Sequence, residues 1–171
     1  MKPHRLRWPT EKPTVRTART ADIEPLVGLL GQLFSIETDF SFDPARHARG
    51  LRLLLQAARQ GRARVLVAEV DSKVVGMATV QTVVSTAEGA RSGWIEDVVI
   101  HVDHRGKGLG SALTAAIERW ASDSGIARLQ LLADRRNRLA LLFYDRHSFR
   151  QTNMLGLRKP VGRGGRRSVD R

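Results

Sequence analysis

The sequence of 171 residues contains no cysteine. This absence excludes disulfide bonds, thiolate metal ligands and a cysteine nucleophile. No apolar run is long enough to span a bilayer, and the first residues do not resemble a secretion signal. The length suits one domain with a substantial core. We therefore expect a soluble, cytoplasmic protein that folds without disulfide bonds.

Positive charge is concentrated at the two ends of the chain. Of the net charge of +12, residues 1–19 and 158–171 each contribute +5, and residues 20–157 contribute only +2. Basic ends can bind polyanions through counterion release, although a solvated tail that aids solubility is the commoner explanation. The composition predicts three parts: a flexible basic segment at 1–12, a folded domain at 13–158 and a disordered basic tail at 159–171.

The stretch from Ile95 to Ser111 has the order strand, glycine loop, helix. Its first half is rich in β-branched residues, which predicts a buried strand. From Leu109 to Trp120, apolar residues recur at spacings of three and four, which predicts a helix. Alternating glycines let successive N–H groups converge on one anion, and the helix N-terminus adds its positive dipole end. Together with Arg105 and Lys107, this loop predicts a site for phosphate or pyrophosphate.

The spacing within the loop separates several kinds of phosphate site. A P-loop needs Lys after the last glycine, and a dinucleotide fingerprint needs a third glycine where Ser111 stands. A glycine-rich connection without a ligand is disfavoured by the flanking Arg and Lys. The pattern Arg-x-x-Gly-x-Gly at Arg105, Gly108 and Gly110 resembles the acetyl-CoA signature of the GNAT acetyltransferase superfamily.

A second segment carries the same resemblance. Asn137, Ala140, the pair Phe143-Tyr144 and Phe149 are similar to the pattern that closes the coenzyme site in this superfamily. The departure is Ser148, where glycine is usual, so the turn there is expected to differ. The resemblance covers roughly residues 13–158.

The resemblance implies a mixed α+β fold. Its sheet has six to seven mostly antiparallel strands, about four helices, and a splay between the fourth and fifth strands. The patterns themselves predict helices at 23–34 and from Pro44 to about Gly61, a hairpin of strands at 64–70 and 74–84, a strand at 127–132, and a last strand through Leu157.

By resemblance, acetyl-CoA is the expected coenzyme. The residues expected to contact it are Val98, Val99, Ile100, Arg105, Gly106, Lys107, Gly108, Leu109, Gly110, Ser111, Asn137, Ala140 and Tyr144. No metal is expected, because His101, His104 and His147 are isolated and lack metal-ligand spacing.

Acetyl transfer from a thioester to an amine needs a neutral amine and a proton for the leaving sulfur. Without cysteine, direct attack in a ternary complex is favoured over an acyl-enzyme. The stretch Ile95-Glu96-Asp97-Val98 resembles that of glucosamine-6-phosphate N-acetyltransferases, which implies Glu96 as the base; Tyr144 is the implied acid. Neighbouring strand residues face opposite ways, so Asp97 can share the site only if a bulge intervenes.

The acceptor is expected near the loop after the first helix, which walls the acceptor pocket in the superfamily. Glu37, Asp39, Phe40 and Phe42 are its candidate contacts, although capping and ordinary solvated charge explain them equally well. We expect an N-acetyltransferase acting on a small-molecule primary amine. The alternative is an acetyltransferase or binding factor directed at a protein, a ribosome or aminoacyl-tRNA through the basic ends. A homodimer is a further expectation from resemblance.

Overall fold

The computed structural model describes residues 13–37 and 39–161. The expected basic segment 1–12 and most of the expected tail lie outside these residues. Five strands form one sheet in the order of the chain: β1 (Thr14–Thr17), β2 (Ala63–Val70), β3 (Lys73–Ser85), β4 (Ala90–Ile100) and β5 (Ile126–Leu131). The first four pair antiparallel, whereas β4 and β5 are parallel. This confirms the mixed, mostly antiparallel fold.

The described residues form four α-helices, as expected: α1 (Ile23–Phe34), α2 (Pro44–Arg59), α3 (Leu109–Asp123) and α4 (Arg138–Arg146). Pro44 opens α2, and the Asp43 carboxylate accepts from the backbone N–H of Arg46 at 3.0 Å, which satisfies one unpaired donor of the first turn. The apolar stripes of α1, α2 and α3 face the sheet, whereas α4 has no buried residue and contacts α3 through Phe143. Leu26, Leu51 and Met77 are buried in the core that α1 and α2 share with it, and Leu113 and Ile117 are buried in the core under α3.

An ion-pair cluster joins β1 and β2 to the turn before α1. The guanidinium of Arg16 donates to Asp22 at 2.8 Å and to Glu69 at 2.6 Å. Asp22 is buried and also accepts from the backbone N–H of Arg19 at 2.6 Å. Arg16 is the main reason that the pKa of Asp22 lies below its ordinary value. Asp22 thus fixes the turn into α1.

The expected last strand is wrong: among the described residues the sheet has five strands, and residues 150–161 form none. The apolar residues that suggested a strand, Met154, Leu155 and Leu157, are exposed. This segment is instead held to the loop after α1. Arg158 donates to the carbonyl oxygen of Asp39 at 3.0 Å and lies 4.6 Å from the centre of the Phe40 ring.

Within residues 13–37 and 39–161, no helix is both long and apolar enough to cross a bilayer.

Candidate active site

The glycine loop between β4 and α3 forms an open cradle. Gly106 and Gly108 take φ of 73° and 79°, the left-handed region that favours glycine. A Cβ added at either residue would meet no atom within 4 Å. Gly108 directly precedes α3, so the unpaired N–H groups of the first helical turn point to the same side. The residues present therefore fit an anionic group such as a pyrophosphate.

Gly110 has a different role from the other two glycines. It lies within α3, where a Cβ would come within 3.2 Å of the Phe143 ring on α4. Next to it, the Ser111 hydroxyl lies 3.0 Å from Nε2 of His147. His147 and Phe143 together join the end of α4 to the start of α3. Gly110 thus lets α3 and the Phe143 ring approach closely.

The two central strands separate at the level of the candidate coenzyme site. The pairing of β4 with β5 ends at Ile95 and Leu131, whereas β4 continues to Ile100 paired only with β3. This is the expected splay. The remaining edge of β4, which includes Val98, Val99 and Ile100, is not paired with β5 and leaves main-chain groups for an extended ligand. Arg105 closes the end of the strand by donating from Nε to the carbonyl oxygen of Ile100 at 3.0 Å.

Helix α4 places the residues of the second segment. Asn137 caps this helix: its side-chain oxygen accepts from the N–H of Ala140 at 3.0 Å, so only its NH₂ group remains to contact a coenzyme. Ser148 has φ of 63°, so serine here keeps the backbone conformation that suits glycine. The turn brings Phe149 against Tyr144, with ring centres 5.6 Å apart. The departure from the family pattern therefore leaves the position of Tyr144 fixed.

Burial raises the pKa of Tyr144 to about 12, with a further contribution from the charge of Glu37. The phenol therefore keeps its proton across the neutral range.

A bulge interrupts β4 at the acidic pair. Met77 pairs with Val99 and Thr79 pairs with Glu96, so β4 has one residue more than β3 over this interval. Asp97 takes φ of 47°, which absorbs the extra residue. Because the bulge breaks the alternation of the strand, Glu96 and Asp97 both line the same cavity.

The two carboxylates have different surroundings. Glu96 is exposed and accepts from Gln81 Nε2 at 3.1 Å and from Trp94 Nε1 at 3.3 Å. Asp97 is partly buried. Burial, followed by the charges of Glu96 and Glu37, raises the pKa of Asp97 to about 6. Asp97 is therefore a carboxylate at neutral pH that holds a proton more readily than an ordinary aspartate.

The cavity beside this pair has a volume of about 540 Å³ and lies between the first two helices and the sheet. One wall is apolar and contains Leu30, Phe34, Leu51 and Leu54. The other wall is polar and is lined by Arg62, Gln81, Glu96 and Asp97. The sequence patterns missed Arg62 and Gln81, because a residue in a turn and an alternating strand position carry no signal for a cavity.

His47 on α2 also lines this cavity. Its ring is stacked between Phe34 and Phe42, at centre distances of 4.7 and 5.4 Å. Its Nε2 is buried without a hydrogen-bond partner in the described part of the chain. His47 was not predicted as a site residue, because the helical spacing around it indicates only a core position.

The expected acceptor contacts in the loop after α1 do not line the cavity. Phe40 packs on Phe34 and under Arg158. Glu37 lies close enough to Asp97 and Tyr144 to raise the pKa of both, while burial, Asp134 and Asp39 raise its own pKa. Glu37 is thus electrostatically coupled both to Asp97 and to Tyr144.

Among residues 13–37 and 39–161, no three His, Asp or Glu side chains come together as a possible metal site.

Comparison with known proteins identifies the family. The model of the acetyltransferase (GNAT) family matches residues 30–149. No curated protein matches the chain. A transcriptional regulator from Bacillus halodurans C-125 superposes with a TM-score of 0.72 at 27% identity, covering 88% of this chain and all of that one.

Two further solved structures share the fold. A possible acetyltransferase from Clostridium difficile 630 has a TM-score of 0.77 at 21% identity, covering 90% of this chain and 100% of that one. Glucosamine-6-phosphate N-acetyltransferase from Arabidopsis thaliana has a TM-score of 0.69 at 20% identity, covering 87% and 99%. With the family model matching most of the chain, and with the glycine cradle and the splayed strands in place, the protein belongs to the GNAT acetyltransferase family and is an N-acetyltransferase enzyme.

Proposed function

We propose that the protein transfers an acetyl group from acetyl-CoA to the primary amine of a small molecule that enters the cavity beside Asp97. The observation that carries this proposal is the shared position of two features. An open glycine cradle lies at one end of the unpaired edge of β4, and two carboxylates lie at the other. The open-sided cavity has a volume of about 540 Å³, which lies within the range of small-molecule sites.

When bound, acetyl-CoA supplies an acetyl group activated as a thioester. Gly106, Gly108 and the first turn of α3 would hold its pyrophosphate, with Arg105 and Lys107 adding charge. The edge of β4 from Val98 to Ile100 that is not paired with β5 would bind the extended arm and polarise the acetyl carbonyl.

The two carboxylates have different roles toward the amine. Asp97 takes the proton from the ammonium, because its pKa of about 6 keeps it ionised at neutral pH and its partial burial favours its protonated form afterwards. Glu96, which the sequence favoured as the base, is held by Gln81 and Trp94 and orients the amine through its charge. Tyr144 keeps a proton on its hydroxyl oxygen for the leaving sulfur.

Two measurements test this assignment. Calorimetric titration with acetyl-CoA should show one site per chain, and a panel of primary amines should release free coenzyme thiol. Asp97→Asn should reduce turnover by about 100-fold or more, the range for loss of a general base, while Glu96→Gln should mainly raise the KM for the amine. No coenzyme binding by the wild-type chain would end the proposal. Equal turnover by wild type and Asp97→Asn would end the role of Asp97.

A further inference from the structure

The acceptor cavity is asymmetric in charge from one end to the other. Its polar wall begins at Asp97 and Glu96 and continues through Gln81 to Arg62. Gln81 lies between the two ends: it is paired with Ala63, the residue after Arg62, and its amide donates to Glu96 at 3.1 Å. We call these four residues, Arg62, Gln81, Glu96 and Asp97, the polar row. The row therefore has two carboxylates at one end and a guanidinium at the other.

Arg62 is held in place by its main chain. Its N–H donates to Ala57 at 2.9 Å, and its carbonyl oxygen accepts from the N–H of Thr82 at 2.9 Å and from the Thr82 hydroxyl at 3.1 Å. Its Nε donates to the side-chain oxygen of Gln60 at 3.2 Å. These bonds fix the turn and one edge of the side chain. Arg62 therefore loses less conformational entropy when it binds a ligand.

The Arg62 guanidinium is in none of the ion pairs that the described residues form. Among the described residues, the Arg62 side chain donates only to Gln60, whose side chain is neutral. A planar guanidinium with a free edge is the side chain best suited to bind a carboxylate or a phosphate through two parallel hydrogen bonds. A cation at this position would instead be repelled, which disfavours amines with a second positive charge at the far end.

We propose that the acceptor is a primary amine that also carries an anionic group at the far end of an apolar body. This inference rests on the proposed function and names its substrate class. The amine lies at Asp97 and Glu96, the apolar body lies along Leu30, Phe34, Leu51 and Leu54, and a carboxylate or phosphate lies on Arg62. The charges of the cavity are thus complementary to a zwitterion.

Two matched pairs of probes isolate the anionic group. 6-Aminohexanoate is compared with 6-aminohexanamide, and 6-aminohexyl phosphate with 6-aminohexan-1-ol. Within each pair the amine and its apolar chain are the same, so a difference in kcat/KM reports the far end of the molecule. We expect the wild-type enzyme to prefer at least one anionic probe by about tenfold, the lower end for a charge-assisted hydrogen bond. A preference in the first pair indicates that the acceptor carries a carboxylate, and a preference in the second pair indicates that it carries a phosphate.

The variant Arg62→Gln tests the residue itself. It should raise the KM for the preferred anionic probe about tenfold and reduce the preference within the pair to about one. Arg52→Gln is the matched control, because Arg52 is an exposed arginine of α2 that lines a separate groove. It should keep the preference.

Several outcomes would overturn the inference while sparing the proposed function. These are equal kcat/KM for both members of both pairs, a preference that survives Arg62→Gln, or an acetyl-CoA-loaded enzyme that neither binds nor acetylates the anionic probes. The proposed function fails separately, through the absence of coenzyme binding and of thiol release with any amine.

Discussion

Replacing Asp97 by asparagine should make the protein more stable at neutral pH and less active. The folded protein raises the pKa of Asp97 from 3.8 to about 6, so the folded state binds this proton more tightly than the unfolded chain does. The free energy of unfolding therefore decreases as pH rises from about 4 to about 6 and is then constant. The shift corresponds to a cost of about 3 kcal/mol above pH 6. Asparagine has no charge to desolvate, so the variant avoids this cost.

Urea unfolding at pH 4 and pH 8 measures the effect. The gain of Asp97→Asn over the wild type should be up to about 3 kcal/mol larger at pH 8 than at pH 4. Only this difference counts, because asparagine also suits the left-handed φ of 47° at this residue and can add a gain that is independent of pH. Glu118→Gln, which removes an exposed carboxylate from α3, should show no such dependence. A gain in the free energy of unfolding that is the same at both pH values would refute the reasoning that burial destabilises the ionised Asp97.

Three other changes test the remaining elements of the site and fold. Tyr144→Phe should lower kcat about 100-fold without weakening acetyl-CoA binding, and a loss of acetyl-CoA binding in calorimetry would contradict this. Because the pKa of Tyr144 is about 12, the activity of the wild type should show no loss from this group up to pH 10. Arg16→Ala should destabilise the fold by about 3 kcal/mol, since buried Asp22 loses its main partner; the loss should shrink at acid pH, where Asp22 gains a proton. Ser148→Gly should raise the free energy of unfolding by up to about 1 kcal/mol by removing left-handed strain, and a decrease in urea would contradict it.

Local sequence patterns were sufficient to predict the features that depend on backbone conformation. The helix begins at Leu109 as its spacing indicated, because Gly108 directly before it can take a conformation that ends the loop. The helices and the glycine cradle depend on residues close together in the sequence. Their prediction needs no knowledge of the partner elements.

Features that depend on distant partners were not predictable in this way. The apolar run at Met154 to Leu157 has a strand composition, but a strand forms only where a neighbour offers hydrogen bonds, and Arg158 is held instead by the loop at Asp39 and Phe40. Arg62 belongs to the cavity because β2 and β3 pair in a register that sets it beside Gln81. That register joins residues far apart in the chain, so no window of sequence around Arg62 shows it.

The bulge in β4 connects the two halves of the site. The last residue of β4 that pairs with β5 is Ile95, and the bulge follows at Glu96 and Asp97. A bulge adds twist to its strand, so the inserted residue accounts both for the turning of two adjacent carboxylates to one cavity and for the separation of β4 from β5. A regular strand would point Asp97 away from Glu96 and would keep its edge closer to β5. One residue in a left-handed conformation thus brings an acid pair and an open main-chain edge to the same point, which is the geometry that acetyl transfer to an amine requires.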